Sequence, residues 1–345
     1  MQSPLFRAGP LSVGDLLDWA VRLYRARFGK LILTTAIFLV PLGLISSLIS
    51  GQTMTSYLNI FMTALQDPES LADQQQVIRE LQGNNQWLSL SYLLIPISIA
   101  ANGLVTLALA YQSIGAIHQR EVGIGESIRL ALRRFWPWLA MSIALIAAFI
   151  GVGILVLIAI VIVAFFLAIV AGGFMAFGSF ASGGEPNPAA MIGLMVGISC
   201  LYVGAILLIL APFVYLSTRW AVAMPLLIDQ SLGPLEALSE SWKLTQGHVR
   251  RSIGYVVLLY LFYGIIYGAL MAIAFAGASL TLTSSTLASI AIFGIIGALV
   301  PVLWQPLAVA AYVMLYYDLR MRNQGYDLEL RIQQLETEAE RAAYP

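Results

Sequence analysis

The stretch "GPLEALSESWKLTQGHVRR", residues 233–251, decides how the chain folds. It lies between two long apolar runs and is too polar to sit in hydrocarbon. Yet Leu235, Leu238 and Trp242 recur at helical spacing, which predicts a short amphipathic helix. The pattern occurs three times. "VGDLLDWAVRLYRARF" from Val13, "IGESIRLALRRFWPWL" from Ile124 and "PLEALSESWKLTQGHV" from Pro234 align without gaps, at offsets of 111 and 110 residues. Asp15, Glu126 and Glu236 coincide. So do Leu17, Ile128 and Leu238, and Arg22, Arg133 and Lys243. A period of this kind implies a repeated structural unit.

Composition says what the unit is. Hydrophobic residues make up 59% of the 345, and charged residues only 10%, against about 25% in ordinary soluble domains. A spanning helix needs ~20 mostly apolar residues. Six such spans are expected, near 31–50, 89–114, 138–176, 190–216, 252–278 and 288–317. The fold class is therefore an all-α integral membrane protein, built as three repeats of an interfacial helix plus a two-span hairpin. Repeat 1 covers 11–118, repeat 2 covers 122–228 and repeat 3 covers 232–322, with a charged C-terminal tail at 323–345. The third run holds no charge over 39 residues, which at 1.5 Å per residue is about 58 Å. It must tilt, extend past the bilayer or break, and Gly172-Gly173 is the expected end.

Ser12 with Asp15 fits a capping box, Pro234 suits a first helical position, and Gly247 is an expected C-terminal stop. Ile124, Ile128, Ala131, Leu132 and Phe135 form an apolar stripe beside Arg129, Arg133 and Arg134. Trp19, Phe135 and Trp242 are the expected interfacial anchors. These helices either contact lipid headgroups or cover one mouth of the bundle; a stripe alone does not separate the two.

Three signatures resemble a known family. "LSVGDLLDWAVRLYRARFGKLI", "GPLEALSESWKLTQGH" and "YYDLRMRNQGYDLEL" look like those of the glycerophosphoryl diester phosphodiesterase membrane-domain family. The resemblance implies a six-span membrane module associated with lipid or envelope biology. It does not carry the phosphodiesterase activity, because such a catalytic barrel needs ~250 residues. The longest polar stretch is the 37-residue loop 51–87.

The residues themselves point to no reaction. There is no G-x-x-x-x-G-K-[ST] phosphate loop and no H-E-x-x-H. His118 and His248 lack further ligands at useful spacing, and Cys200 is alone in an apolar run. No catalytic residue, no cofactor and no metal is expected, and zero net charge gives no reason to expect nucleic acid. Arg219, between "LLILAPFVYLST" and "WAVAMPLLID", either snorkels to the headgroups beside Trp220 or pairs with Asp318 or Asp229. Arg219, Asp229 and Asp318 are thus the candidate polar cluster. Asn102 and Gln305 are polar residues inside spans that hold no carboxylate, which lowers the case for an ion-coupled carrier. Pro96, Pro212, Pro301 and Pro306 kink the second helix of each unit and could line a cavity. "GLMVG" at 193–197 and "GIIYG" at 264–268 offer close helix packing.

The expected function is a non-catalytic scaffold, assembly or lipid-associated membrane factor. A transporter or lipid-translocating protein with a proline-kinked central cavity is one alternative. An accessory membrane subunit of a lipid-processing enzyme is another. Expected partners are membrane lipids and a membrane or cytoplasmic protein bound through the C-terminal tail, where Leu328, Ile332 and Leu335 form a narrow stripe. Of the 18 basic residues, 17 fall in the termini and alternate connections, and Arg79 alone in the others. The expected location is a bacterial-type inner membrane with both termini cytoplasmic. Reporters fused to each end should therefore give the same cytoplasmic signal; ends on opposite faces would rule this topology out.

Overall fold

A computed structural model describes residues 11–66, 85–181, 193, 197, 204, 206, 209–281 and 286–324, and every one of its regular elements is a helix. Ser12 starts α1 (Val13–Ala26) by the expected capping box. Its hydroxyl accepts from the Asp15 N–H, and Asp15 accepts from the Ser12 N–H, both at 3.1 Å. This satisfies N–H groups that a helix start leaves without partners. Leu16, Ala20 and Leu23 are buried on one face. Asp18 and Arg22 pair on the exposed side at 2.7 Å.

Arg27 interrupts the helix with φ −121°. From there α2 (Phe28–Gln66) runs on, followed by α3 (Asn85–Ile117) and α4 (Ile124–Ala181). A helical segment over 209–219 is α5. Then come α6 (Ala223–Asp229), α7 (Pro234–Thr245), α8 (Val249–Thr281) and α9 (Thr286–Gln324). Among the described residues, six stretches are long and apolar enough to cross a membrane: Phe28–Ser47, Tyr92–Ile117, Ile124–Val163, Ile209–Asp229, Val249–Ile273 and Ile296–Gln324. Each overlaps one expected span, the fourth only over 209–216, and the chain is a multi-pass helical membrane protein.

Several boundaries differ from the sequence reading. The expected second interfacial helix is not separate. It continues through Pro137 into α4, a helix of 58 residues. Between Arg134 and Leu139 the chain has Pro137 but no glycine to take a left-handed cap, whereas α7 ends at Thr245 just before Gly247, whose φ of +84° is left-handed. Gly172-Gly173 does not end α4 either. Each glycine costs ~1 kcal/mol in a helix, while a break in apolar surroundings exposes backbone groups at several kcal/mol each. The loop expected from residue 51 is helical as far as Gln66. Pro41 and Pro137 place prolines inside first helices as well. Cys200 and the stripe Leu328, Ile332 and Leu335 lie outside the described residues.

The described residues divide into two compact units, one containing residues up to Leu139 and from Val222, the other Ala140–Ala221. In the second, the Phe149 ring stacks on Phe213 at 5.7 Å and meets Trp220 edge-on. In the first, α9 is the central element and packs on α1, α2, α3 and α8. Its last turns are almost wholly enclosed: Ala310, Ala311, Val313, Met314, Leu315, Tyr316, Tyr317, Asp318 and Leu319 are all fully buried. Gln112 knits the other wall, its amide N–H groups reaching Thr34 on α2 and Ser127 on α4, each at 2.8 Å.

Close backbone approach occurs where a side chain needs room. A Cβ on Gly103 would stand 2.2 Å from the Trp138 indole, and one on Gly43 2.8 Å from the Ala298 Cβ. The glycines of "GLMVG" and "GIIYG" behave otherwise. No described atom lies within 4 Å of a Cβ built on Gly193, Gly197, Gly264 or Gly268, so among the described residues they do not serve the internal packing expected of them. Gly103→Ala should destabilise the protein by about 1–3 kcal/mol, the range for an overpacked core. Gly264→Ala should be neutral or slightly stabilising, and thermal unfolding in detergent compares the two.

Candidate functional site

The expected polar cluster resolves into two. Asp318, fully buried near the end of α9, is the centre of the first. Its Oδ2 accepts from Arg251 Nε at 3.2 Å and Arg322 Nε at 3.1 Å. Its Oδ1 accepts from the Leu11 N–H at 3.1 Å. The same two arginines donate to the Leu11 carbonyl, Arg322 at 2.8 Å and Arg251 more closely. One carboxylate and two guanidinium groups therefore hold both backbone groups of the residue that leads into α1.

Burying a carboxylate costs several kcal/mol unless charges and hydrogen bonds replace its water. Here every contact is charge-assisted, the stronger class of hydrogen bond. The arginine side chains keep about a fifth of their surface exposed, so their own desolvation is partial. Asp318 reaches Arg322 within one helical turn, Arg251 from the first turn of α8, and Leu11 from 307 positions away.

The second cluster joins α9 to α6. Tyr316 Oη donates to Asp229 Oδ2 at 2.6 Å, and Arg320 Nη1 lies 3.1 Å from the same oxygen. The Arg320 guanidinium also sits 5.7 Å from the Tyr316 ring centre, within cation–π range. Asn323 Nδ2 donates to the last-turn carbonyl of Leu244 on α7. His118 Nε2 meets Tyr317 Oη at 2.9 Å, tying the end of α3 to the same region. Among the described residues no group of three or more His, Cys, Asp or Glu is placed to hold a metal ion.

Arg219 lies in the other compact unit, buried, with its Nε donating to Tyr215 Oη at 3.2 Å. The cations described on Asp318 and Asp229 are Arg251, Arg322 and Arg320. Sequence reasoning did not single these out. The signal available was the i, i+4 spacing of Asp318 and Arg322 within "DLRMR", but Arg251 and Leu11 approach only through the tertiary fold. Of the expected anchors, Trp19 lies 5.4 Å from the Arg22 guanidinium. Phe135 packs against Trp136 and Trp138. Trp242 is exposed beside Leu235, which is 70% exposed, whereas Leu238 is buried. The acids aligned by the repeat also differ in role. Asp15 and Glu236 each reach back three residues to a backbone N–H, but Glu126 accepts from Tyr111 and Arg120.

A cavity of about 340 Å³ lies further along α9, lined by residues of α2, α3 and α9. Leu39, Leu42, Gly43, Ala298 and Pro301 give it apolar walls, and Ser46, Ser47, Ser98 and Asn102 add polar groups. Beside it Gln305 Nε2 donates to Thr106 Oγ1 at 2.9 Å.

Comparison with known families finds a match over the C-terminal part of the chain. The model described as the membrane domain of glycerophosphoryl diester phosphodiesterase covers residues 191–341. The resemblance seen in the motifs is therefore found again over that stretch. It contains two of the three signatures and Asp229, Arg251, Asp318, Arg320 and Arg322; Leu11 and α1 lie outside it. No curated protein and no solved structure matches the chain.

Arg251→Ala should lower stability by about 2 kcal/mol, the scale of hydrogen bonds to a charged group, because Asp318 stays buried with fewer donors. Arg129→Ala, on an exposed turn of α4, should leave the melting temperature unchanged. Equal melting temperatures for the two variants would contradict the clamp.

Proposed function

We propose that the protein is a non-catalytic, lipid-associated scaffold of a bacterial-type inner membrane, with both termini on the cytoplasmic side. The observation that carries this reading is the Asp318 clamp. It fastens the segment leading into α1, the start of α8 and the end of α9 to one another, which suits a fixed platform. A carrier that alternates its access would have to open or rotate such an end.

The short helices support lipid association. On α7 the buried residues Ala237, Leu238, Ser241, Leu244 and Thr245 form one face. Leu235 and Trp242 fall on its flank, exposed. That is the arrangement of a helix lying in the headgroup plane with one side on protein and the next against lipid. On this reading α1, the first turns of α4 and α7 each precede a two-span unit, and the 17 of 18 basic residues in the termini and alternate connections share the cytoplasmic side. Membrane lipids are the first partners on this reading.

A second reading, a lipid-translocating protein, is favoured by the cavity at the kinked part of α9. Gentle extraction followed by mass spectrometry of retained lipids and proteins separates the two. A scaffold should keep phospholipid at fixed stoichiometry and show no lipid transfer between leaflets of reconstituted vesicles. Transfer of a labelled lipid well above that in protein-free vesicles would overturn the scaffold in favour of the second reading.

A further inference from the structure

We infer that the cavity between α2, α3 and α9 is a binding site for a lipid alcohol: an uncharged lipid whose head is a free hydroxyl. This rests on the lipid-associated reading and names the ligand chemistry that one site would take. A volume of about 340 Å³ is within the ~300–1,000 Å³ of ligand sites. Its walls pair alkyl groups with a small set of polar ones, as such sites do.

Position comes first. Asn102 and Ser98 lie 15 and 19 residues from the end of α3 at Ile117, and Pro301 lies 17 residues before Asp318. At 1.5 Å per residue these are separations of about 22–29 Å from the charged end. With a hydrocarbon layer ~30 Å thick, the cavity lies toward the face opposite the charged end, at the depth where the hydroxyl of a lipid alcohol sits. Ser47, Ser98 and Asn102 are half-buried or exposed, so it is open to a chain entering sideways.

Hydrogen bonding then selects the ligand. Ser47 Oγ donates its proton to the Leu44 carbonyl, and Ser98 Oγ to that of Leu94, each at 2.8 Å. Each hydroxyl has one proton, so these two offer only lone pairs to an occupant. Asn102 spends one N–H on the Ser98 carbonyl at 2.8 Å and keeps its other N–H and its carbonyl oxygen. Pro301 has no N–H, which takes the helical donor from the carbonyl of Gly297; both residues line the cavity. The wall therefore has a surplus of acceptors. The Gly297 carbonyl is the acceptor that lacks its helical donor, and a ligand hydroxyl supplies a proton to it.

Charge excludes the other common heads. Among the described residues the lining has no Lys, Arg, Asp or Glu. A phosphate would bring a full charge and more acceptors to a wall already rich in them, and an ammonium would find no carboxylate.

Gly297 supplies the test. A Cβ there meets no described atom within 4 Å and Gly297 lines the cavity, so Gly297→Leu places a branched side chain at its wall. Gly264→Leu is the matched control on an exposed glycine of α8 that does not line the cavity. The full chain in a neutral maltoside would be titrated with 1,2-dioctanoylglycerol, with its 3-acetyl ester, which has no hydroxyl, and with dioctanoyl phosphatidic acid. Thermal unfolding is the readout. Dioctanoylglycerol should raise the melting temperature of the wild type and of Gly264→Leu. It should half-saturate at a concentration roughly tenfold below the ester, the effect of about one hydrogen bond. Phosphatidic acid should not stabilise through this site, and Gly297→Leu should lose the response. If Gly297→Leu expresses poorly, Asn102→Leu, which removes a polar group at the cavity edge, should weaken binding by a similar factor. Equal responses to alcohol and ester, or an undiminished response in Gly297→Leu, would overturn the site. Phospholipid still retained by a wild type that ignores dioctanoylglycerol would overturn the site and leave lipid association standing. Loss of all lipid on extraction would remove both.

Discussion

Asp318 is a carboxylate with no exposed surface, and much of the structure follows from the need to satisfy it. Its position on α9 is enclosed by helices distant in sequence, so the groups that answer its charge must come from them. Arg322 arrives from the same helix, Arg251 from α8 and the Leu11 N–H from the chain entering α1. Without that set, the ion would be left in a low-dielectric core where a lone charge is not tolerated. Hence the start of α1, the start of α8 and the end of α9 cannot be separated without stripping Asp318 of partners.

The two parts of α9 have opposite chemistry. Around residues 309–321 the helix is largely buried and bordered by five described charges, Arg251, Arg320 and Arg322 paired with Asp229 and Asp318. Around residues 297–305 the packing is looser, prolines remove backbone donors, and the polar groups are neutral. A helix that is tightly enclosed at one end and carries prolines at the other can anchor a bundle and still leave space within it. Gly43 against Ala298 keeps α2 and α9 in contact just where that space begins.

Much of the fold was legible in the sequence because it is governed by local or one-dimensional rules. Apolar length locates the spans, and Ser12, Asp15, Pro234 and Gly247 fix the helix ends. What failed to show were consequences of context. Between Arg134 and Leu139 the chain carries a proline and still stays helical. Glycine spacing in "GIIYG" suggested packing, yet the tight approaches occur at Gly103 and Gly43, which have no such spacing. Of the polar cluster, Asp229 and Asp318 were identified, but their partners were not. Arg251 sits 67 positions from Asp318 and Leu11 sits 307 away, and no periodicity reports on such pairs. The cavity was foreshadowed only by its proline, since three helices must be assembled before an unfilled volume exists.

The central claim is that one buried carboxylate couples the entry to α1 with the end of α9. Hydrogen–deuterium exchange of the intact protein in lipid nanodiscs, with and without Asp318→Ala, addresses it most directly. The account predicts that the substitution speeds exchange across Val13–Ala26 and residues 309–321 together, while the exposed part of α4 is unaffected. Unchanged protection of α1 in the Asp318→Ala protein would contradict it.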